Sequence, residues 1–182
     1  MTTSPARGGT PARVQILRMP IDVLTMDECM ERIGEFVASG QPHLVVTADS
    51  SGIVQAQTDP GLAELYETAD LVTPDSSGVV WAMRRAGTSQ TGRVSGVDIV
   101  DNACRVSSET GWRIYFLGAA PGVAELAAER MRLRHPGCNI VGARHGYFPP
   151  ESDDVVAAEV AETKPDILFV AMGIPRQEKF IR

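Results

Sequence analysis

The chain has 182 residues, with 17 Lys or Arg against 23 Asp or Glu, and its formal net charge of −6 excludes a basic nucleic-acid binder. With 43% hydrophobic and 22% charged residues it is far from the composition of disordered chains. Its length is that of one domain, able to bury a core without disulfides or a structural metal.

The first thirteen residues, MTTSPARGGTPAR, are rich in Thr, Pro, Gly and Ala, and no apolar stretch of a secretory signal follows them. Residues 1–13 read as a disordered leader and residues 14–182 as a single α/β domain. From there, short β-branched or apolar runs alternate with longer segments of helical period, the pattern of repeated βαβ units and a mainly parallel sheet. The predicted strands are Val14 to Arg18, His43 to Ala48, Asp70 to Thr73, Arg113 to Leu117, Asn139 to Ala143 and Asp166 to Ala171. Thr25 and Glu28 have the spacing of a capping box, which predicts a helix over Met26 to Ala38. Pro121 opens a second helix that runs until HPG stops it, and Ser152 caps a third that continues to about Thr163. The longest apolar stretches, IYFLGAA and ILFVAMGIP, are far shorter than the ~18 residues a membrane-spanning helix needs, so membrane contact is expected to be peripheral. Cys29, Cys104 and Cys138 are odd in number and form no CxxC pair, which fits a reducing compartment.

In open parallel sheets, ligands sit beyond the carboxyl ends of the strands. Four predicted strands run out into small or polar residues there: Thr47, Asp49, Ser50 and Ser51; Asp75, Ser76, Ser77 and Gly78; Gly118, Pro121 and Gly122; and GIPRQEK. The loop GAAPGVAE lacks the spacing of a dinucleotide fingerprint and supports a redox cofactor only weakly, although the helix opened by Pro121 offers amide groups to a phosphate. No GxxxxGK[ST] loop and no Asp-x-Asp triplet occurs. P-loop phosphoryl transfer and the usual carboxylate seat for a divalent ion are therefore not expected. His43, His135 and His145 have no metal-ligand spacing, so no metal or cofactor is expected. Asp153 and Asp154 sit at a helix start, where they offset the dipole. Asp75 follows an apolar strand in a Ser/Gly turn and precedes a helix bearing Arg84 and Arg85, so it reads equally as the cap of that helix or as a catalytic carboxylate. Arg93 lies in the loop GTSQTGRVSG, within reach of a diphosphate or of water, and GIPRQEKF places Gln177 and Glu178 near the strand ends.

In order along the chain, VVTADS, ADLVTPDSSGVVWAMRRAG, RVSGVDIV, YFLGAAPGV, GYF and PDILFVAMGIPRQEKFI resemble the WecG/TagA/CpsF family of bacterial glycosyltransferases. The pattern spans nearly all of the chain from Val14 onward. The resemblance implies a Rossmann-like α/β fold with helices on both faces of the sheet. It also implies an inverting hexosyltransferase that moves an N-acetylmannosamine-type sugar from a UDP donor to polyprenyl-diphosphate-linked N-acetylglucosamine. The implied setting is the cytoplasmic face of the membrane, in teichoic-acid, common-antigen or capsule synthesis. The implied base is Asp75, and the implied substrate-binding residues are Thr47, Asp49, Arg93 and Gln177. The chain departs from the family pattern at Asp49, where Asn is usual, and at Ser76, where Gly is usual. Family members also continue past the PxQE helix into a further strand and a basic appendage implicated in membrane docking. A chain stopping at Arg182, with its last helix about two turns long, therefore reads as a truncated form whose full-length version binds the membrane surface. A catalytically silent UDP-sugar-binding or assembly module is the alternative, and a nicotinamide-dependent enzyme is a weaker third. The donor epimer, acceptor lipid and oligomeric state stay open, and a homo-oligomer is compatible with the sequence.

Overall fold

The computed structural model describes residues 11–90 and 92–181, so residues 1–10 of the expected leader lie outside the described residues. The chain divides into two compact units, one made of the residues up to Cys29 with His43–Ser95, the other of Met30–Pro42 with the residues from Gly96 onward. The expected α/β class with parallel strand pairing is observed in both.

The first unit opens with an antiparallel hairpin, β1 (Arg13–Ile16) and β2 (Met19–Asp22). Leu17 and Arg18 form its two-residue turn with φ of 47° and 68°. Such turns normally carry Gly or Asn, and neither is present. A single strand through Arg18 is thus corrected to two strands with a tight reversal between them. Gln57 Nε2 donates to Leu17 O (2.7 Å) and supports that turn. Helix α1 (Met26–Ser39), whose first turn belongs to this unit and whose residues from Met30 belong to the second, follows, opened by the predicted capping box: Thr25 N donates to Glu28 Oε2 (2.7 Å) and Glu28 N to Thr25 Oγ1 (3.3 Å). Then come β3 (Val45–Ala48), α2 (Ser50–Gln55), α3 (Pro60–Thr68), β4 (Leu71–Pro74) and α4 (Ser77–Arg85). Strands β3 and β4 are parallel, with Thr47 opposite Thr73 and Ala48 opposite Pro74. Asp22, wholly buried, joins the hairpin to β4: its Oδ2 accepts from Val72 N (2.7 Å), and its Oδ1 accepts from Arg13 Nε (2.7 Å).

The second unit contains α5 (Gly96–Thr110), β5 (Ile114–Gly118), α6 (Val123–Arg134), β6 (Ile140–Arg144), α7 (Asp153–Glu162), β7 (Ile167–Ala171) and α8 (Arg176–Phe180). Its sheet is parallel in the order β6-β5-β7. From β5 the chain crosses to one neighbour and then back past β5 to the other. Right-handed crossovers therefore put α6 and α7 on opposite faces, and all five residues of β5 are buried. Tyr115 and Leu117 pack with Val156 and Val160 of α7, while Phe116 meets Phe169 edge-on at 6.0 Å. Helix α6 begins at Val123 behind a left-handed Gly122 (φ 84°), two residues later than Pro121 suggested. Gly118 (φ 145°) lets β5 and β7 close at their ends, since a Cβ there would lie 2.3 Å from Ala171 O. Ser152 does occupy the N-cap position of α7, but its hydroxyl makes no capping bond. No helix among the described residues is long and apolar enough to cross a membrane.

All three cysteines are free and buried. Burial, with Asp22 adding to it, pushes the Cys29 thiol up to about 12. Burial first, then Cys138 and Asp101, does the same to Cys104, also about 12. Burial also raises Cys138. Thiolate is the reactive form, so none of the three is expected to react with iodoacetamide at pH 8 until urea unfolds the chain. The linkage has a definite sign. In the unfolded chain these thiols ionise near the free value of about 8.5, whereas Cys29 and Cys104 stay neutral in the folded protein until about 12. Their contribution to stability is full below the unfolded value and is lost between that value and about 12. The melting temperature should fall across this alkaline window and fall less in a Cys29→Ala, Cys104→Ala variant.

Candidate active site

Parallel pairing of β3 and β4 brings two chain segments to one rim of the first unit. Asp75 N donates to Ala48 O (2.9 Å), continuing the ladder past β4, and Val94 N donates to Pro74 O (2.8 Å), which lays the segment bearing Arg93 along the end of the same strand. Thr47, Asp49, Asp75 and Arg93 therefore belong to one group of strand ends and adjoining loops. Gln177 belongs to the second unit.

Two helices start at this rim. Ser50, the first residue of α2, and Ser76, ahead of α4, share a hydrogen bond between hydroxyls at 2.9 Å. Gly78 permits that approach, because a Cβ there would lie 2.7 Å from Ser50 Oγ. Helix α4 directs the amide groups of its first turn at the rim, a positive end suited to negative charge. Its N-cap is Ser76, whose Oγ accepts from Val79 N (3.3 Å). The capping reading of Asp75 is thus corrected: the cap falls one residue later, and half-buried Asp75 stands between β4 and the helix.

Asp49 has a defined local role. Its carboxylate caps α2, with Oδ1 accepting from Gly52 N (2.6 Å) and both oxygens within 3.0 Å of the Ser51 hydroxyl. An acceptor-only side chain suits this position, where the helix N-terminus offsets its charge. Asn caps about as well as Asp, whereas Ala removes the acceptor. Asp49→Asn should therefore leave urea stability unchanged, and Asp49→Ala should cost about 1 kcal/mol. Equal losses in the two variants would show that the cap is not what Asp49 supplies.

Thr73 escaped the sequence reading as a site residue. It pairs in register with half-buried Thr47, lies two residues before Asp75 and is wholly buried. Among the described residues its hydroxyl has no hydrogen-bond partner. A buried unsatisfied hydroxyl costs about 1–3 kcal/mol. Its only sequence signal is a polar residue at the end of an apolar strand.

In the second unit, Gln177 lies in the first turn of α8. Its Oε1 accepts from Gly173 N (3.2 Å) and its Nε2 donates to Glu178 Oε1 (2.9 Å). Arg176 beside it pairs with Asp153 (Nη1 to Oδ2, 2.8 Å), and its guanidinium lies over the rings of Phe148 (5.1 Å) and Phe180 (5.9 Å). Asp153 thus ties α8 to α7 as well as sitting at a helix start. The amide of Gln177 is held where both donor and acceptor atoms are committed to its own turn.

A WecG/TagA/CpsF family glycosyl transferase model matches residues 14–182. The chain is similar to the N-acetylglucosaminyldiphosphoundecaprenol N-acetyl-beta-D-mannosaminyltransferases of Staphylococcus aureus strains NCTC 8325, COL and MRSA252. Each is 31% identical to it over 172 residues, covering 93% of this chain and 67% of the relative.

Proposed function

Because the chain belongs to the WecG/TagA/CpsF family of glycosyltransferases, we propose that it transfers an N-acetylmannosamine-type sugar from a UDP donor to a polyprenyl-diphosphate-linked N-acetylglucosamine, with inversion. The observation that carries this reading is Asp75, set at the end of β4 with the capping duty taken by Ser76.

An acceptor hydroxyl does not ionise at neutral pH, so a carboxylate must take its proton as the new bond to the anomeric carbon forms. Asp75 is that base. As the oxygen–carbon bond forms, the bond from the anomeric carbon to the UDP oxygen breaks on the opposite side, and UDP leaves with the electron pair. Arg93 and the amide groups opening α4 stabilise the charge that develops on the diphosphate. Thr47 orients a sugar hydroxyl, and Asp49 accepts one while capping α2.

The test is a transfer assay with UDP-N-acetylmannosamine and UDP-N-acetylglucosamine on a short-chain lipid-diphosphate-linked N-acetylglucosamine, with the anomeric configuration of the product read by NMR. Transfer from the mannosamine donor with inversion is expected. UDP binding measured calorimetrically, without transfer from either donor, would replace this reading with a silent UDP-sugar-binding module.

A further inference from the structure

The exposed side chain of Arg93 leaves a backbone that is held on both sides. The peptide group before its Cα contains Gly92 O, which accepts from Gln90 Nε2 at 2.6 Å, and the peptide group after it contains Val94 N, which donates to Pro74 O at 2.8 Å. Peptide groups are planar, so a residue has only two soft torsions between its flanking planes, and holding both planes sets the direction in which the side chain departs. Val94 ties one plane to the end of β4, next to Asp75. Gln90 ties the other to the body of the first unit.

Gln90 is 4% exposed, and its carboxamide is engaged by backbone groups. Its Oε1 accepts from Leu24 N (3.0 Å), and its Nε2 donates to Leu24 O (2.9 Å) as well as to Gly92 O. The side-chain amide therefore pairs with both polar groups of Leu24 as a neighbouring strand would, although the two residues are 66 apart in sequence. Leu24 is a firm anchor. Its side chain is buried just beyond β2, and Val23 before it donates to Ala12 O (2.8 Å). Arg84 Nε, from α4, donates to Gln90 O (2.8 Å) and holds the main chain of Gln90 as well. An apolar side chain would fill the same space, but only the two N–H donors and the acceptor of the carboxamide connect the Gly92 peptide to Leu24. Buried polar groups satisfied in this way specify one arrangement of the chain around them.

We propose that Gln90 is a positioning residue for sugar transfer: without touching the substrate, it sets the backbone from which Arg93 reaches the donor diphosphate. The proposal rests on the role given to Arg93 in the proposed function. A guanidinium already in place when charge develops on the leaving diphosphate needs no reorganisation at that moment. Release of the Gly92 peptide frees one torsion of Arg93, and the backbone must then be fixed again in each turnover. A loss of about tenfold in rate follows.

The experiment compares the whole chain with Gln90→Met, which keeps the volume and removes all three hydrogen bonds, and with Gln90→Glu, which keeps an acceptor for Leu24 N and removes both donors. Turnover of UDP-N-acetylmannosamine with a short-chain lipid-diphosphate-linked N-acetylglucosamine is read in each, alone and combined with Arg93→Ala. Tryptic cleavage after Arg93, relative to other sites, is followed by mass spectrometry and needs no substrate. Each Gln90 variant should lower kcat about tenfold with KM for the acceptor unchanged, have no further effect once Arg93 is replaced by Ala, and raise the relative cleavage after Arg93 at least tenfold. Asp59→Ala, which removes the cap of α3, should lower the melting temperature and leave kcat and the relative cleavage unchanged. Wild-type kcat in a folded Gln90 variant, or unchanged cleavage after Arg93, overturns the proposal. So does a tenfold loss that persists in the Arg93→Ala background, because Gln90 would then act on the fold and not through Arg93. Failure of the wild type to transfer counts against the glycosyltransferase reading instead, and the hold of Gln90 on Arg93 is then decided by the cleavage rates.

Discussion

Asp75→Asn should abolish most sugar transfer while leaving donor binding intact. The substitution keeps the shape of the side chain and removes its ability to take a proton, and general-base help of this kind is worth about 10²- to 10⁴-fold. In barrier terms that is roughly 3 to 5 kcal/mol. The folded state should tolerate the change, because Asp75 is half-buried and the cap of α4 belongs to Ser76. The measurements are turnover with a short-chain lipid-linked acceptor, UDP affinity by calorimetry, and the melting temperature. Undiminished turnover would sink the base assignment. A fall in melting temperature parallel to the fall in turnover would turn Asp75 into a structural residue. Ser76→Ala supplies the complementary case: it removes a cap hydrogen bond and should cost about 1 kcal/mol of stability with a smaller effect on rate.

Asp22→Ala should cost about 1 to 3 kcal/mol of folding stability, because it leaves the buried Val72 amide without an acceptor while Arg13, with 29% of its side chain exposed, can turn to water. Against a typical total of about 5–15 kcal/mol, this is a sizeable share. The carboxylate has three partners at once: Arg13 Nε at 2.7 Å, Arg13 Nη2 at 3.2 Å and Val72 N at 2.7 Å. Its removal strands the Val72 amide without an acceptor. It also leaves the Arg13 guanidinium with the carbonyls of Ala69 and Asp70, at 2.9 and 3.1 Å, as its remaining partners among the described residues. Asp22→Asn should cost less, because one oxygen still accepts a hydrogen bond. Urea midpoints for both variants check this, and a loss below about 1 kcal/mol for the Ala variant would mean that the hairpin is not held to β4 through Asp22.

Several elements were legible because their signals are local. The capping box at Thr25 and Glu28 marked the start of α1 at the observed residue. The β-branched runs marked β3 through β7 to within about two residues at each end. The unmarked elements each lack such a signal. β2 follows a reversal built from Leu17 and Arg18, where no Gly or Asn announces a turn. The first turn of α2 is Ser50, Ser51 and Gly52, residues that favour loops in isolation, and its helix depends on the Asp49 cap. α5 buries Ile99, Ala103 and Ser107 at helical spacing, but its β-branched and polar residues mask the period.

The candidate site divides along the same line. Thr47, Asp49 and Asp75 were visible as polar residues at strand ends, Arg93 in a loop and Gln177 at a helix start, and the order of the motifs along the chain carried the family resemblance. Sequence spacing left Asp75 undecided between cap and catalyst, since both draw on the same residue types, and gave no sign that Asp49 caps α2. Tertiary structure assigned the two caps. The Ser50–Ser76 contact joins residues 26 apart and places the cap of α4 on Ser76, and the Asp22–Val72 bond joins residues 50 apart and fastens the hairpin to the parallel pair. Periodicity and turn chemistry act over a few neighbouring residues, and so they set the elements, their order and the acidic character of the chain. Strand pairing, the choice of cap and the burial of a charge depend on partners that meet only once the chain has folded. The same is true of Trp81: only the packing of Val79, Val80 and Met83 on the opposite face of α4 shows that it is turned to solvent.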